Sequence, residues 1–423
     1  MKKNRLLSTL MGLLAVVTLF LTACGPTPTP LPATQAPTTA PTAQPAVATA
    51  VKVGVVYPLT GDLASTGESM RNAIQMAVDE VNAAGGIKSL GGAPIELVFG
   101  DSQGKPEIGA SEVERLIQQE GVVMVVGCYQ SSVTKPASQA AERLSTPFLV
   151  DMAIADVITE RGFKYVFRIA PKNDWYTRDQ VAFIQDLEKL AGYKVEKVAI
   201  LHEDTDFGTG AAEGQKKYLK QAGIEVVAEV AYPASAADLT TEVSKIKAAN
   251  PDLVLTTTYL NDAILITQAR QALGMTNIPF LDTAGGTIET DYIKRLGDAA
   301  NGMLTVLEFS KYAPGAPAEV NARYREKYGI DLTGNSSHSY VAGWVIADAL
   351  ERAGSTNKDA IRNALATTKL EHGPHMILPA ASLEFGEDGQ NKNARLYIVQ
   401  IQNGDLIPVW PAEFAAAKIQ LGK

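Results

Sequence analysis

Residues 51–86, VKVGVVYPLTGDLASTGESMRNAIQMAVDEVNAAGG, decide the fold class of this chain. The β-branched run Val51–Val56 predicts a buried strand, and a polar loop over 59–62 follows it. Apolar residues then recur at helical spacing, which predicts a helix over 67–84. The glycine pair at 85–86 is typical of a helix end. The stretch is therefore one strand–loop–helix unit of an α/β protein.

The same unit recurs along most of the chain. Further strands are predicted over 95–99, 122–126, 147–150, 197–201, 224–230, 253–257 and 279–281. Helices are predicted over 106–119, 136–144, 175–191, 213–222, 239–249 and 263–273. Alternating strands and helices predict parallel sheets covered by helices on both faces. Because the alternation restarts after Arg168, we predict two doubly wound Rossmann-like lobes, with a ligand cleft at the carboxyl ends of their strands.

The N-terminus has the layout of an export signal. Basic residues at positions 2, 3 and 5 precede an apolar run over 6–21, which is shorter than the ~20 residues of a membrane span. The run ends in Leu21-Thr22-Ala23-Cys24, which resembles the lipobox of bacterial lipoproteins. We therefore predict a lipoprotein signal peptide over 1–23 and lipidation of Cys24. The protein would then be extracytoplasmic, held by its lipid on the outer face of the cell membrane, or periplasmic.

Residues 24–50 predict a tether between this anchor and the folded body. After Cys24 the segment consists almost entirely of Pro, Thr, Ala and Gln and carries no charge. Such a composition cannot bury enough apolar surface to fold, and its prolines favour extended conformations. The net charge of −8 and the pI of about 5.3 argue against nucleic acid as a partner.

The sequence carries no recognisable catalytic or metal-binding constellation. It has no phosphate-binding loop, no H-E-x-x-H helix and no nucleophile elbow. The acidic run over 203–206 begins like a calcium loop, but Gly208 comes one position early and no glutamate follows at the required distance. The pair His372 and His375 does not complete a tetrahedral site. We therefore expect no cofactor, no metal and no enzymatic activity.

Several segments resemble one family. The most specific are NAAGGI over 82–87 and Arg161-Gly162-Phe163. Further matching segments keep the family's order, namely 53–61, 77–87, 126–127, 131–132, 135–138, 159–168, 203–208 and 268–274. Together they resemble the branched-chain amino acid (Leu/Ile/Val) binding proteins of ABC transporters, which are type I periplasmic binding proteins. The resemblance extends from residue 51 to about residue 409.

The resemblance implies a hinge in which the chain crosses between the lobes three times. Lobe one would comprise 51–168 plus 307–383, and lobe two 169–306 plus 384–423. Helices over 317–328, 337–353 and 358–366 would then return to lobe one. The implied partners are a small-molecule ligand and an ABC permease, with membrane contact through the lipid anchor only. A carrier that docks and releases is expected to be a monomer.

The resemblance also implies a set of pocket residues. The family's carboxylate-binding serine falls on Ser131, next to Ser132 and Gln130, at a helix start whose amide groups favour an anion. A second family donor, usually threonine, falls on Ile154. There the backbone of Met152, Ala153 and Ile154 would serve instead. The family's aromatic positions fall on Phe207 and Tyr259, and its first-loop aromatic falls on Thr66.

One departure from the family concerns the ligand. The acidic residue that pairs with the ligand ammonium in relatives is replaced by Ala284. A buried ammonium without a partner would cost several kcal/mol. Either Asp282 or Asp206 supplies the carboxylate, or the ligand has no ammonium. We therefore expect capture of a branched-chain amino acid type of ligand. The alternatives are an aromatic or other small carboxylate or amide, and a sensory ligand-binding protein, a class that usually carries a transmembrane helix leading to a signalling domain.

Overall fold

The computed structural model describes residue 25 and residues 48–421, apart from 314, 372 and 381. The predicted signal peptide, Cys24 and all of the predicted tether except residues 25 and 48–50 lie outside the described residues. Within the described part of the chain, no helix combines the length and apolar character needed to cross a membrane.

The first lobe is built on a five-stranded sheet whose strands are all parallel, in the order β2-β1-β3-β4-β5. Its elements are β1 (Val51–Tyr57), α1 (Ala64–Ala83), β2 (Ile95–Asp101), α2 (Pro106–Gln118), β3 (Val125–Gly127), α3 (Ser131–Arg143), β4 (Phe148–Val150) and β5 (Val166–Arg168). Val53, Val55 and Val56 of β1, an interior strand of this sheet, are fully buried. Burial of consecutive residues requires cover on both faces, which the flanking helices provide.

The second lobe is built on a seven-stranded sheet in the order β14-β13-β10-β9-β8-β6-β7. Its first part comprises α4 (Asn173–Ala191), β6 (Lys197–Glu203), α5 (Asp206–Ala222), β7 (Glu225–Tyr232), α6 (Thr240–Ala248), β8 (Leu253–Thr257), α7 (Leu260–Ala272), β9 (Phe280–Asp282), α8 (Thr290–Leu296) and β10 (Leu304–Leu307). Strands β6 to β10 pair in parallel. The predicted α/β fold is confirmed, and the second sheet is parallel over β6 to β10.

After β10 the chain returns to pack against the first lobe. The returning elements are α9 (Ala316–Tyr328), α10 (Gly334–Ala353), α11 (Lys358–Ala366), β11 (Lys369–Glu371) and β12 (Ser382–Glu384). Glu80 of α1 accepts hydrogen bonds from Tyr340 of α10 (2.7 Å) and from Arg323 of α9 (3.2 Å). The last strands, β13 (Tyr397–Gln402) and β14 (Asp405–Trp410), form an antiparallel hairpin at the edge of the second sheet. The boundaries of the two lobes stay a prediction. This hairpin is not among the elements predicted from the sequence.

A buried arginine joins two of the segments that run between the sheets. Arg168, at the end of β5, is fully buried, and its backbone pairs with Gly389 and Asn391. Its guanidinium donates to Gln390 Oε1 (2.6 Å), to the carbonyls of Ala153 (3.2 Å) and Ala155 (2.7 Å), and to Thr159 Oγ1 (3.0 Å). Burial lowers the pKa of Arg168 to about 10, so the group stays cationic at neutral pH. The guanidinium therefore crosslinks the two connections.

Several predicted helix starts are wrong, and α3 and α5 show why. Helix α3 begins at Ser131 and contains Pro136, which the prediction takes as the first residue. Helix α5 begins at Asp206 rather than at residue 213, so the acidic run leads directly into a helix. Glycine has a low helix propensity, so the presence of Gly208 argues against a helix in this part of the sequence. The structure needs glycine there, because a Cβ atom would lie 2.0 Å from the Glu203 carbonyl oxygen.

Candidate ligand-binding site

A small cavity lies where strand-end loops of both sheets meet. It is lined by Tyr129, Ser131, Met152, Ile154, Phe207, Tyr259, Ala284, Gly285 and Asn335. Its volume is about 20 Å³, which is room for little more than one water molecule. The two lobes are thus in contact around this cavity, and a ligand the size of an amino acid fits here only if the lobes separate or the lining side chains move.

One end of the cavity is suited to an anion. Ser131 is the first residue of α3, and the amide group of Ala155 donates to its hydroxyl oxygen at 3.1 Å. A serine hydroxyl that accepts one bond still has its own proton to donate. The unpaired amides of the first helical turn add positive potential. Ser131 is therefore placed as the resemblance implies, and its role as a carboxylate ligand stays a prediction.

Three aromatic rings close the cavity from both lobes. Tyr259 follows β8, and its ring centroid lies 5.3 Å from that of Phe207 on α5. The ring of Tyr129, which precedes α3, lies 5.7 Å from Tyr259 in an edge-to-face arrangement. All three side chains are buried. This geometry gives an apolar, shape-selective wall that depends on closure of the lobes.

The structure gathers six of the predicted site residues and leaves out the rest. Ser131, Met152, Ile154, Phe207, Tyr259 and Ala284 line the cavity. Gln130 lines a neighbouring polar cavity of about 520 Å³ between the loops after β1, β2, β6 and β7, with Tyr259 as the shared wall. Thr66, Ser132 and Ala153 do not line the small cavity.

Both predicted ammonium partners contact other side chains. Asp282 does not line the cavity, since its carboxylate accepts hydrogen bonds from the hydroxyls of Thr256, Thr258 and Thr287. Asp206, at the start of α5, forms an ion pair with Lys135 of α3 across the lobes at 2.8 Å. Asp282 is therefore not among the residues that line the cavity, and the partner of a ligand ammonium stays a prediction.

Three lining residues escaped the sequence prediction: Tyr129, Gly285 and Asn335. Tyr129 and Gly285 are chain neighbours of predicted positions, so a wider window around each motif would have included them. Asn335 is not close in the sequence to any predicted site position. It is the second residue of α10, whose predicted start at 337 is wrong, and it reaches the cavity from a distant part of the chain.

The family model described as periplasmic binding protein matches residues 50–405. The chain belongs to the periplasmic binding protein family. The curated relatives agree: a Leu/Ile/Val-binding protein homolog 7 of Brucella melitensis is 31% identical over 384 residues, which cover 88% of this chain and 94% of that protein.

Solved structures of other solute-binding proteins share the fold of this periplasmic binding protein. The branched-chain amino acid transporter substrate binding protein LivJ of Streptococcus pneumoniae, in complex with isoleucine, has a TM-score of 0.74 at 24% identity, covering 84% of this chain and 97% of that one. An ABC transporter solute binding protein of R. palustris, in complex with benzoate, has a TM-score of 0.76 at 20% identity, covering 88% and 98%. These likenesses confirm the type I fold.

Several buried carboxyl groups of this periplasmic binding protein have raised pKa values, and in four of them the pKa reaches about 7 or 8. Burial raises the pKa of Asp262 to about 8, of Asp282 to about 7, of Glu289 to about 7 and of Glu308 to about 8. Tyr232 donates to Asp262, three threonines donate to Asp282, and Asn335 donates to Glu289. Neither oxygen of Glu308 has a hydrogen-bond partner among the described residues.

We expect the ligand-free protein to lose stability as the pH rises from about 5 to about 8. Below about pH 4 these carboxyls are protonated in both the folded and the unfolded chain. At higher pH the unfolded chain releases their protons first, so the folded chain holds more protons and the free energy of unfolding falls. Replacing Glu308 with glutamine should restore on the order of 2–4 kcal/mol at about pH 9 and change little at about pH 5.

Chemical denaturation at several pH values measures this effect. Glu96→Gln, a substitution of an exposed glutamate in β2, is the matched control and should leave the pH dependence unchanged. An E308Q variant whose stability followed the wild-type curve at every pH would contradict the assignment of a protonated, buried Glu308.

Proposed function

We propose that this protein is the extracytoplasmic solute-binding lipoprotein of an ABC importer. It captures a small amino acid-like ligand in the cleft between its lobes and delivers it to a permease. The observation that carries the proposal is the cavity closed by both lobes, with Ser131 at the head of α3 and the rings of Phe207 and Tyr259 opposite. Membership of the periplasmic binding protein family supports it.

The proposed mechanism is a ligand-dependent shift between open and closed lobes. Because the lining residues come from both lobes, only the closed state can contact a ligand on all sides. A ligand that contacts both lobes thus has a higher affinity for the closed state, and this difference drives closure. The permease would read the closed state.

Amino acids and small carboxylates are the two ligand classes to compare. A branched-chain amino acid fits the curated relatives named Leu/Ile/Val-binding protein homologs. An aromatic carboxylate fits the apolar and aromatic lining and the alanine at position 284, and the benzoate-bound R. palustris protein has the same fold. Both classes present a carboxylate to the head of α3.

Thermal shift with the purified protein tests the proposal. The panel contains leucine, isoleucine, valine, phenylalanine, benzoate and 4-hydroxybenzoate. A ligand at about 100 times its Kd adds about 2.7 kcal/mol to the free energy of unfolding, which raises the melting temperature by several degrees. If no compound of the panel or of a wider solute library raises it, the proposal of solute capture fails.

Replacing Tyr259 with alanine should weaken binding of the tightest compound of that panel about 30-fold, or about 2 kcal/mol. The substitution removes the ring that meets both Tyr129 and Phe207 when the lobes close. Isothermal titration calorimetry measures the loss. Tyr312→Ala, which removes an exposed ring outside the cavity, is the control and should bind normally. Equal affinities for Y259A and wild type would place the ligand elsewhere.

A further inference from the structure

We propose that the end of the cavity formed by Asn335 and Tyr129 is a receptor for a cationic nitrogen, with Glu289 supplying the negative charge from directly behind Asn335. This inference rests on the proposed function and specifies its ligand: a molecule that carries an ammonium group as well as a carboxylate. The receptor lies on residues other than Ala284, where the resemblance implies an acidic residue, and other than Asp282 or Asp206.

Asn335 presents an unsatisfied acceptor to the cavity. Its side chain is fully buried, and its amide nitrogen Nδ2 donates to Glu289 Oε1 at 2.5 Å. This bond fixes the orientation of the amide and leaves the carbonyl oxygen Oδ1, which has no hydrogen-bond partner among the described residues. Because a carbonyl oxygen can only accept, a ligand that satisfies it must bring a donor.

Tyr129 adds a hydroxyl group that lies close to the Asn335 side chain and can accept as well as donate. Its hydroxyl is buried and has no hydrogen-bond partner in the described part of the chain, and its residue lines the same cavity. Each buried polar atom that stays unpaired costs free energy. An ammonium group offers three donors in a compact volume, so one such group can satisfy both the Asn335 carbonyl and the Tyr129 oxygen.

Glu289 is the acidic group next to this end of the cavity, and it becomes negative when it loses its proton. Its side chain is 4% exposed, and no lysine, arginine or histidine forms an ion pair with it among the described residues. The charged or titratable groups that face it are Tyr129, Asp291 and Tyr324, none of them a cation at neutral pH. Thr66 also lies close to Glu289, which gives this predicted site residue a place beside the charge.

An uncompensated buried carboxylate is costly unless it is neutralised. Without ligand, a proton serves that purpose, since burial raises the pKa of Glu289 to about 7. An ammonium group next to Asn335 would replace the proton as the compensating charge, and the pKa of Glu289 would fall. Binding of a cationic ligand near neutral pH should therefore release a proton from the protein, whereas binding of a plain carboxylate should not.

The test compares ligands that differ only in the ammonium group. Leucine is paired with 4-methylpentanoate, and phenylalanine with 3-phenylpropanoate. Calorimetry with the wild type should show the amino acid of at least one pair binding more tightly. In Glu289→Gln the affinity for that amino acid should fall about tenfold or more, while the affinity for its desamino partner stays the same. Glu308→Gln is a matched change at another buried glutamate outside the cavity. It should leave the affinities for both compounds unchanged.

Two further measurements keep the test independent of folding defects. Tyr129→Phe removes a single hydroxyl and should lower the affinity for the amino acid about fivefold without affecting the desamino compound. Calorimetry in buffers of different ionisation enthalpy at about pH 7 should show proton release with the amino acid in the wild type and none in E289Q.

The outcomes separate this inference from the proposed function. If E289Q weakens both members of a pair equally, or neither, the receptor assignment is wrong while solute capture stands. If the protein binds benzoate or the desamino acids but no amino acid, the assignment is also overturned and the carboxylate function remains. If nothing binds, solute capture itself fails, and the receptor with it.

Discussion

Replacing Arg168 with methionine should lower the free energy of unfolding by about 3 kcal/mol, which corresponds to a fall of roughly 6–12 °C in melting temperature. The change removes four guanidinium hydrogen bonds and strands the oxygens of Gln390, Ala153 and Ala155 in a buried environment. Methionine also removes the cost of burying a charged guanidinium, which offsets part of this loss. The expected destabilisation is therefore smaller than the summed free energies of the four hydrogen bonds.

Differential scanning calorimetry at neutral pH measures the effect. Arg143→Met is the control, because the Arg143 side chain is 59% exposed and forms a surface ion pair with Glu114. The control should lower the melting temperature by no more than about 2 °C. If the R168M protein were as stable as the wild type, the free-energy cost of burying the guanidinium would equal the stabilisation by its hydrogen bonds, and the prediction would be wrong.

Replacing Cys24 with alanine should release essentially all of the protein from membranes. The prediction follows from the lipobox-like sequence Leu21-Thr22-Ala23-Cys24. Two acyl chains hold a protein on a bilayer, whereas a polar polypeptide without them has no comparable affinity. Membrane fractionation and detergent phase partition of cells producing each form measure the distribution.

Cys128→Ala is the matched control for this experiment. Cys128 is the other cysteine of the chain and is fully buried next to β3, so its loss should leave the protein in the membrane fraction. Retention of the C24A protein on membranes would refute lipidation at this residue. Release of both variants would point to a folding defect or to proteolysis instead.

The fold could be predicted because its signals are local. Alternation of β-branched runs with amphipathic segments is visible within windows of ten to twenty residues and is confirmed by both sheets. The boundaries of α3 and α5 could not be predicted in this way. Pro136 and Gly208 look like helix breakers in the sequence, but tertiary packing holds both inside helices.

The site could be predicted only where it follows the strand ends. Ser131, Phe207 and Tyr259 come directly after strands or begin the next helix, so the resemblance placed them at the cleft. The partner of a ligand ammonium could not be found in this way. The sequence does not show that three threonines from separate segments converge on Asp282. It also does not show that Asn335 lines the cavity, because this residue comes from the long return of the chain to the first lobe.

The ion pair between Lys135 and Asp206 should make the retention of a captured solute depend on the salt concentration of the medium. It spans the two lobes while both side chains stay partly exposed, at 42% and 32%. Dissolved salt screens such a pair, and its full loss is worth no more than about 1 kcal/mol. A captured solute should therefore dwell up to about fivefold longer in dilute medium than in concentrated brine. Turnover of the carrier would rise with external salt even if every contact to the solute stayed the same.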